Sequence, residues 1–297
     1  MDPNTFIVAV FYEVDNWFMG QKKLRGRGPQ PELPDSEVST MENRGRIPRD
    51  RCREGPLRLL QAPLRREWFP ALREVHRTTF TRRMANLWVA KERLWRELLG
   101  RIGFDPRISL VDSFPVPTCR FARAYRCRLL PEESAFGYDE MTEQAFYGLR
   151  AHPRVCWPGV ICGLSLAPAD AHELSVAEEL LEGAEGWASG DRNYWSPRLT
   201  ERLGEEQGLD LLAPYKSEER EKKPWPRRLT QKRRRIETVA GQLVERYRAE
   251  KVRARERWHL TSRWPRKKIL SHTMSFYLCQ SGGRCSSPLR FSELLAD

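Results

Sequence analysis

Apolar and polar residues follow two regimes along the chain. Up to about residue 103 the apolar positions recur at three- and four-residue steps, and from Arg107 they fall into short runs of strand character. Residues 1–20 form a short amphipathic piece in which FIVAVFYEVDNWF mixes apolar and acidic positions. Residues 21–56 are rich in Arg, Pro and Gly, hold no sustained period, and read mostly as loop or disorder. Over residues 66–103, Phe69, Leu72, Val75, Phe80, Met84, Leu87, Val89, Leu94 and Leu98 predict two or three helices. The run RISLVDSFPVP then reads as a strand that closes at Asp112 and is broken by Pro115 and Pro117. After a loop holding FARAYRCRL, two strands at roughly 146–156 and 160–167 are joined by a turn at Trp157-Pro158-Gly159. A helix over 173–184 and a short strand, GWASGD, ending at Asp191 come next. The helix over 196–208 has Ser196 to cap it and Pro197 in its first turn, and a strand at 209–214 follows it. The loop YKSEEREKKPWPRR leads into a long basic helix, 229–251, and a last helix, 266–279. The tail from Ser281 reads as a loosely ordered end.

Strand, two-stranded hairpin, helix, strand, helix, strand and long helix is the layout of an RNase H-like fold, an α/β mixed sheet flanked by helices. The expected organisation is a helical N-terminal region over 1–103, with 21–65 irregular or disordered. An RNase H-like domain over 104–280 and a flexible tail over 281–297 complete it. A fold of this kind does not fix the chemistry, which has to come from particular residues.

Composition narrows the options. No run approaches the roughly 18 apolar residues of a membrane span, and the first residues, acidic and aromatic, lack the basic-then-apolar pattern of an export signal. The expected location is therefore cytoplasmic, with no membrane partner. The seven cysteines are odd in number and never form C-x-x-C, which argues against a disulfide framework and a zinc site. Net charge is +12, and it is concentrated: from Lys216 to Lys268 there are 20 basic and 7 acidic residues, so the rest of the chain is close to neutral. That stretch is interleaved with Trp225, Tyr247, Trp258 and Trp264. Cations that neutralise phosphates and rings that stack on bases point to nucleic acid, against the plainer reading of a solvated basic face.

Three acids stand at positions with chemical meaning. Asp112 and Asp191 each close a strand, and Glu237 lies within the long basic helix. Singly, such residues are ordinary caps, turn formers or solvated charges. In this order of elements they form a constellation suited to phosphodiester chemistry, which needs an activated oxygen nucleophile and a stabilised leaving oxygen. Two Mg²⁺ ions roughly 3.5–4 Å apart do both, and Mg²⁺ takes hard oxygen ligands such as carboxylates. Converging acids would also repel one another without a cation. Neighbouring parallel strands would place Asp112 beside Asp191, and a helix across the sheet edge could present Glu237 to the same point.

Five stretches carry a family resemblance: VDSFPVP (111–117), FYGLR (146–150), the span from Gly159 to His172 and Glu173, GDRNY (190–194) and RRRIET (233–238). Their order resembles the motifs of bacterial insertion-sequence transposases of the DDE class, and the likeness extends over roughly 60–280. The resemblance implies Asp112, Asp191 and Glu237 as the catalytic, metal-binding triad and Mg²⁺ or Mn²⁺ as cofactor. The partners it implies are double-stranded DNA, both the element's terminal repeats and a target, and a homodimer in the DNA complex at the bacterial nucleoid. Arg192, Lys232, Arg233, Arg234 and Arg235 are the expected DNA contacts. Asp170 and His172 are expected as helix caps, and Tyr194 either touches phosphate or packs at the strand end. The Y-x-x-R-x-x-x-E pattern around the third acid is absent in its familiar form.

The resemblance lapses between PELPDSEV, residues 31–38, and Trp68, where an Arg/Pro-rich stretch replaces the apolar helices expected of such relatives. Residues 41–65 read as translated out of frame between two compensating indels. Translating the coding DNA in the other two frames should reveal an apolar helical segment there; its absence from both frames would refute the idea. Two competing functions follow: a catalytically inactive DNA-binding remnant of a degenerate transposase, and a general RNase H-like nuclease with no preference for element ends.

Overall fold

The computed structural model describes residues 3–21, 31–43, 68–215, 225–252, 254–261 and 267–282. The chain divides into two compact units, one formed by residues 1–102 and 261–297, the other by residues 103–260.

The first unit is helical. It contains α1 (Pro3–Gly20), α2 (Asp35–Asn43), α3 (Arg77–Asn86) and α4 (Trp88–Arg101). Along α1 the apolar residues Phe6, Val10, Val14 and Trp17 recur on one face and enter a shared core with Val38, Phe80, Leu94 and Leu98. The indole nitrogen of Trp17 donates to Glu97 Oε2 at 2.7 Å. Glu42 and Lys91 form a buried ion pair at 2.8 Å, and Lys91 Nζ also donates to the carbonyl of Met84. Breaking such a pair by removing one partner costs about 3–5 kcal/mol.

This unit differs from the sequence expectation in two places. Residues 35–43, expected within an irregular segment, form α2: Pro34 precedes it, Asp35 and Glu37 favour its amino end, and Val38 and Met41 turn inward. Packed structure thus extends at least to Glu42; the remainder of the 41–65 stretch, from residue 44, lies outside the described residues. The last helix, Lys267–Ser281, expected to close the RNase H-like domain, belongs to the helical unit. Its residues Leu270, Met274 and Leu278, at four-residue steps, complete the helical core.

The second unit is a seven-stranded mixed sheet with helices. Its strands are β1 (Asp105–Val111), β2 (Phe114–Pro117), β3 (Ala135–Asp139), β4 (Gln144–Trp157), β5 (Val160–Pro168), β6 (Gly186–Ser189) and β7 (Leu209–Leu212). The long strand β4 pairs antiparallel with β1 and β5, which share its Val155–Cys156 positions and so lie on opposite edges. β1 pairs parallel with β6, and β6 parallel with β7, which gives the run β5-β4-β1-β6-β7. β2 and β3 extend β4 towards its start. The crossover helices are α5 (Glu173–Leu180) and α6 (Pro197–Gln207), and α7 (Arg227–Glu245) follows β7. Ser196 accepts from Leu199 N to cap α6, and Gly208, at φ 65°, ends it in the left-handed region. The RNase H-like mixed α/β sheet expected from the pattern is therefore the architecture found. β3 lies where the sequence pattern suggested a loop, because its alternating Phe136 and Tyr138 face solvent and leave no apolar stripe.

Candidate active site

β1 and β6 lie side by side in parallel, with Leu110 opposite Ser189, so both deliver their carboxyl ends to one edge of the sheet. Asp112 is the first residue past β1, and Asp191 the second past β6. Both are half-buried and pinned by the backbone just beyond them. Ser113 N donates to Asp112 Oδ1 at 2.8 Å, and Asn193 N donates to Asp191 Oδ1 at 3.0 Å. Asp191 thereby caps a short 3₁₀ turn, Arg192–Tyr194. Gly190 has a steric reason here: a Cβ would sit 2.6 Å from the buried Tyr194 ring. The spacing of G-D-x-x-Y follows, since the tyrosine closes over the glycine while the aspartate caps the turn that carries it.

Electrostatics bind these groups into one site. Burial pushes the Asp112 carboxyl up to about 6; the Ser113 N–H opposes this, Asp191 and Glu173 add to it, and Arg233 pulls back. Asp191 is raised to about 6 as well, by burial first and then by Glu173, against the Asn193 N–H and Arg233, with Glu140 contributing. Two aspartates and Glu173 therefore share one field, opposed by an arginine from α7.

Glu173 is the residue to which the sequence reading gave no role. It opens α5, is only 8% exposed, and its Oε1 accepts from Ser113 Oγ at 2.6 Å. Arg150 Nη1 lies 3.1 Å from that Ser113 Oγ and 3.5 Å from Glu173 Oε1. The other oxygen, Oε2, is buried with no hydrogen-bond partner, and so is the hydroxyl of Tyr194. Burial, then Glu173, Asp112 and Asp191, push that hydroxyl's pKa well up. Buried oxygens without partners, set among mutually repelling carboxylates, are what a hard, oxygen-seeking cation would satisfy. The donors are all oxygen, which fits Mg²⁺ or Mn²⁺ rather than a thiophilic metal.

Glu237 is placed differently. α7 buries Ile236, Val239 and Leu243, which leaves the next position, Glu237, on the exposed side. The largest influences on Asp112 and Asp191 come from burial, the neighbouring N–H groups, Glu173 and Arg233, not from Glu237. Among the described residues, no three His, Cys, Asp or Glu side chains stand close enough together to hold a metal ion. Two of the three expected acids are thus brought together, and α7 reaches them through Arg233, four residues before Glu237 and in the same helical row.

The expected DNA contacts divide three ways. Arg233 acts on the aspartates. Lys232 Nζ lies 4.9 Å from the Trp157 ring centroid and 5.2 Å from that of Trp187, and the Arg235 guanidinium lies 5.3 Å from Trp157. Those tryptophans pair with Asp105 and Ile108, towards the start of β1 rather than its acidic end. Arg192 and Arg234 face solvent. His172 caps α5, its Nδ1 accepting from Leu174 N at 3.2 Å, whereas Asp170 is exposed and Tyr194 is packed beneath the acids.

The sheet order, with an aspartate just beyond the end of each of two adjacent parallel strands, is that of an RNase H-like fold. The profile of the family described as Transposase DDE domain matches residues 103–257, and the chain belongs to that family. No curated protein matches the chain. Among solved structures, the cryo-EM structure of a piggyBac transposase synaptic complex with hairpin DNA is similar at a TM-score of 0.49. Its sequence identity is 11%, over 99% of this chain and 79% of that one.

Proposed function

We propose that this transposase cuts DNA at the ends of an insertion sequence and joins the freed strands to a target. On this reading Asp112 and Asp191 hold a divalent cation, Mg²⁺ or Mn²⁺, and Glu237 is the third acid. The observation that carries the reading is the pair of half-buried aspartates on adjacent parallel strand ends, in a chain of the DDE family. When bound, the cation neutralises charge on the attacking and leaving oxygens of the phosphodiester. Ser113, Glu173 and Arg150 hold the turn that carries Asp112. Arg233 balances the acids and stands ready for a phosphate. What supports Glu237 is its helical row, which it shares with Arg233. Arg192 and Arg234, being exposed, are the remaining phosphate contacts.

The test is Mg²⁺-dependent cleavage and strand transfer on a supercoiled plasmid carrying the DNA that flanks the gene. Nicking confined to the element ends supports the proposal. Cleavage without end preference would indicate a general nuclease. A second reading, a DNA-binding protein without catalysis, is favoured by the exposed position of Glu237; binding to the ends with no cleavage in either metal would establish it.

A pH dependence follows from the aspartates. Their folded pKa values, about 6, lie above the ordinary 3.8, so the folded metal-free protein holds protons that the unfolded chain has lost. That contribution to stability is fully present below about pH 4 and is lost as pH rises through 6. Cation binding runs the other way, because the carboxyls must give up those protons. The expected result is a melting-temperature gain from Mn²⁺ that is large at pH 7.5 and small at pH 5. An equal gain at both values would contradict the assignment.

A further inference from the structure

Beyond the acid site, the surface around β3 exposes more aromatic area than packing accounts for. Phe121 and Tyr125 both stand on the 3₁₀ helix Phe121–Arg126 and both rings meet Phe136, while Phe136 and Tyr138 alternate outward along β3. Their exposures are 47%, 89%, 43% and 53%. Phe136 is the centre of the group: its ring centroid lies 6.2 Å from Phe121, 5.2 Å from Tyr125 and 5.0 Å from the buried Tyr147. Contact with Tyr147 explains the inner side of Phe136. It does not explain Tyr125, whose ring leans on Phe136 at an interplanar angle of 40° with nearly all of its surface in water. A contiguous apolar patch of this kind marks an interaction site.

Charge selects among possible occupants. Arg123 and Arg126 lie on the same 3₁₀ helix, Arg120 and Arg128 flank it, and all four are exposed. Open aromatic faces among guanidinium groups match a ligand with flat rings on a polyanionic backbone. Position points the same way. Arg150 Nη2 donates to the Tyr138 carbonyl at 2.6 Å, while its Nη1 donates to Ser113 Oγ at 3.1 Å, beside Asp112. One guanidinium therefore ties the aromatic strand to the turn that carries the acid.

We propose that Phe121, Tyr125 and Phe136, with exposed arginines on and beside the same 3₁₀ helix and tied through Arg150 to the Asp112 turn, form a stacking platform for an unpaired nucleobase of the DNA strand held at the acid site. The proposal rests on the DNA-cutting reading above and adds to it a site for bases taken out of the duplex next to the cleaved phosphate. A stacked base is sequence-tolerant, because every base offers a ring face.

Two duplexes carrying the flanking DNA test this with the full-length protein, one blunt and one with a three-nucleotide unpaired extension containing 2-aminopurine. The wild type should bind the extended duplex about tenfold more tightly, the scale of one stacked base, and quench the probe's fluorescence. The double variant Phe121→Ala/Tyr125→Ala should lose both effects and keep its affinity for the blunt duplex, and Tyr125→Trp should retain them. Equal wild-type affinity for the two duplexes, or a gain indifferent to the double variant, would overturn the platform alone. Sedimentation showing that the double variant loses self-association, with its DNA gain intact, would give the surface to a second copy and equally overturn the platform. Failure to bind either duplex would defeat the DNA-cutting reading and the platform with it.

Discussion

Replacing Asp112 with Asn should abolish metal-dependent cleavage, by about a thousandfold or more, the scale on which removing one member of a catalytic constellation acts. The substitution keeps the size of the side chain and leaves an oxygen to accept from Ser113 N, which now bonds Asp112 Oδ1 at 2.8 Å. What it removes is the charge, and with it the anionic oxygen a hard cation needs. DNA binding should be kept or slightly strengthened, since the charge removed is one that repels phosphate. The metal-free protein should become more stable near neutral pH, because Asp112 then no longer forces ionisation of a carboxyl whose pKa burial raises to about 6 and which stands against Asp191 and Glu173. Loss of activity together with gain of stability is a pattern that a purely structural aspartate would not give. Plasmid nicking and thermal melting of Asp112→Asn check both halves, and a destabilised variant that still cleaves would refute the assignment.

Replacing Glu173 with Gln should weaken Mn²⁺ binding by about 10- to 100-fold, the cost of losing a group that orients a metal ligand. Glu173 holds Ser113 through a 2.6 Å hydrogen bond, and Ser113 in turn fixes Asp112. A glutamine can still accept from the serine but no longer balances Arg150. Glu173→Ala should also cost stability, about 1–3 kcal/mol, because Ser113 and Arg150 lose a buried acceptor. Titration of Mn²⁺ into the two variants separates the effects: Gln should lose affinity with little change in melting, because relief of its repulsion with Asp112 and Asp191 offsets the lost pairing with Arg150, and Ala should lose both. Unchanged Mn²⁺ affinity in Glu173→Gln would remove Glu173 from the site.

Much of this was legible in the sequence, for physical reasons that can be named. Ser196, Pro197 and Gly208 mark the two ends of α6, and the structure uses them so. The two aspartates are readable because an acid within a residue or two of the end of a short strand-like run marks the point where a strand leaves the sheet. Glu173 was hidden by its type: a glutamate beginning a helix reads as a solvated charge. A signal existed nonetheless, since positions 173, 176, 177 and 180 form the inward row of α5, and an acid on that row has to be held by something. The spacing of Ile236, Val239 and Leu243 likewise turns Glu237 outward, so the helical period and the family motif pull apart at that residue. The home of the last helix could not be read locally, because its apolar residues would suit either core and only long-range packing decides.

The most direct test is to load the protein with Fe²⁺, add ascorbate and peroxide, and map the backbone cuts made by radicals generated at the bound ion. Cuts clustered at residues next to Asp112, Glu173 and Asp191, lost in Asp112→Asn, are the predicted result, and a further cut near Glu237 would bring the third acid to the same ion. Cuts elsewhere in the chain, or a cutting pattern that Asp112→Asn leaves untouched, would contradict the account.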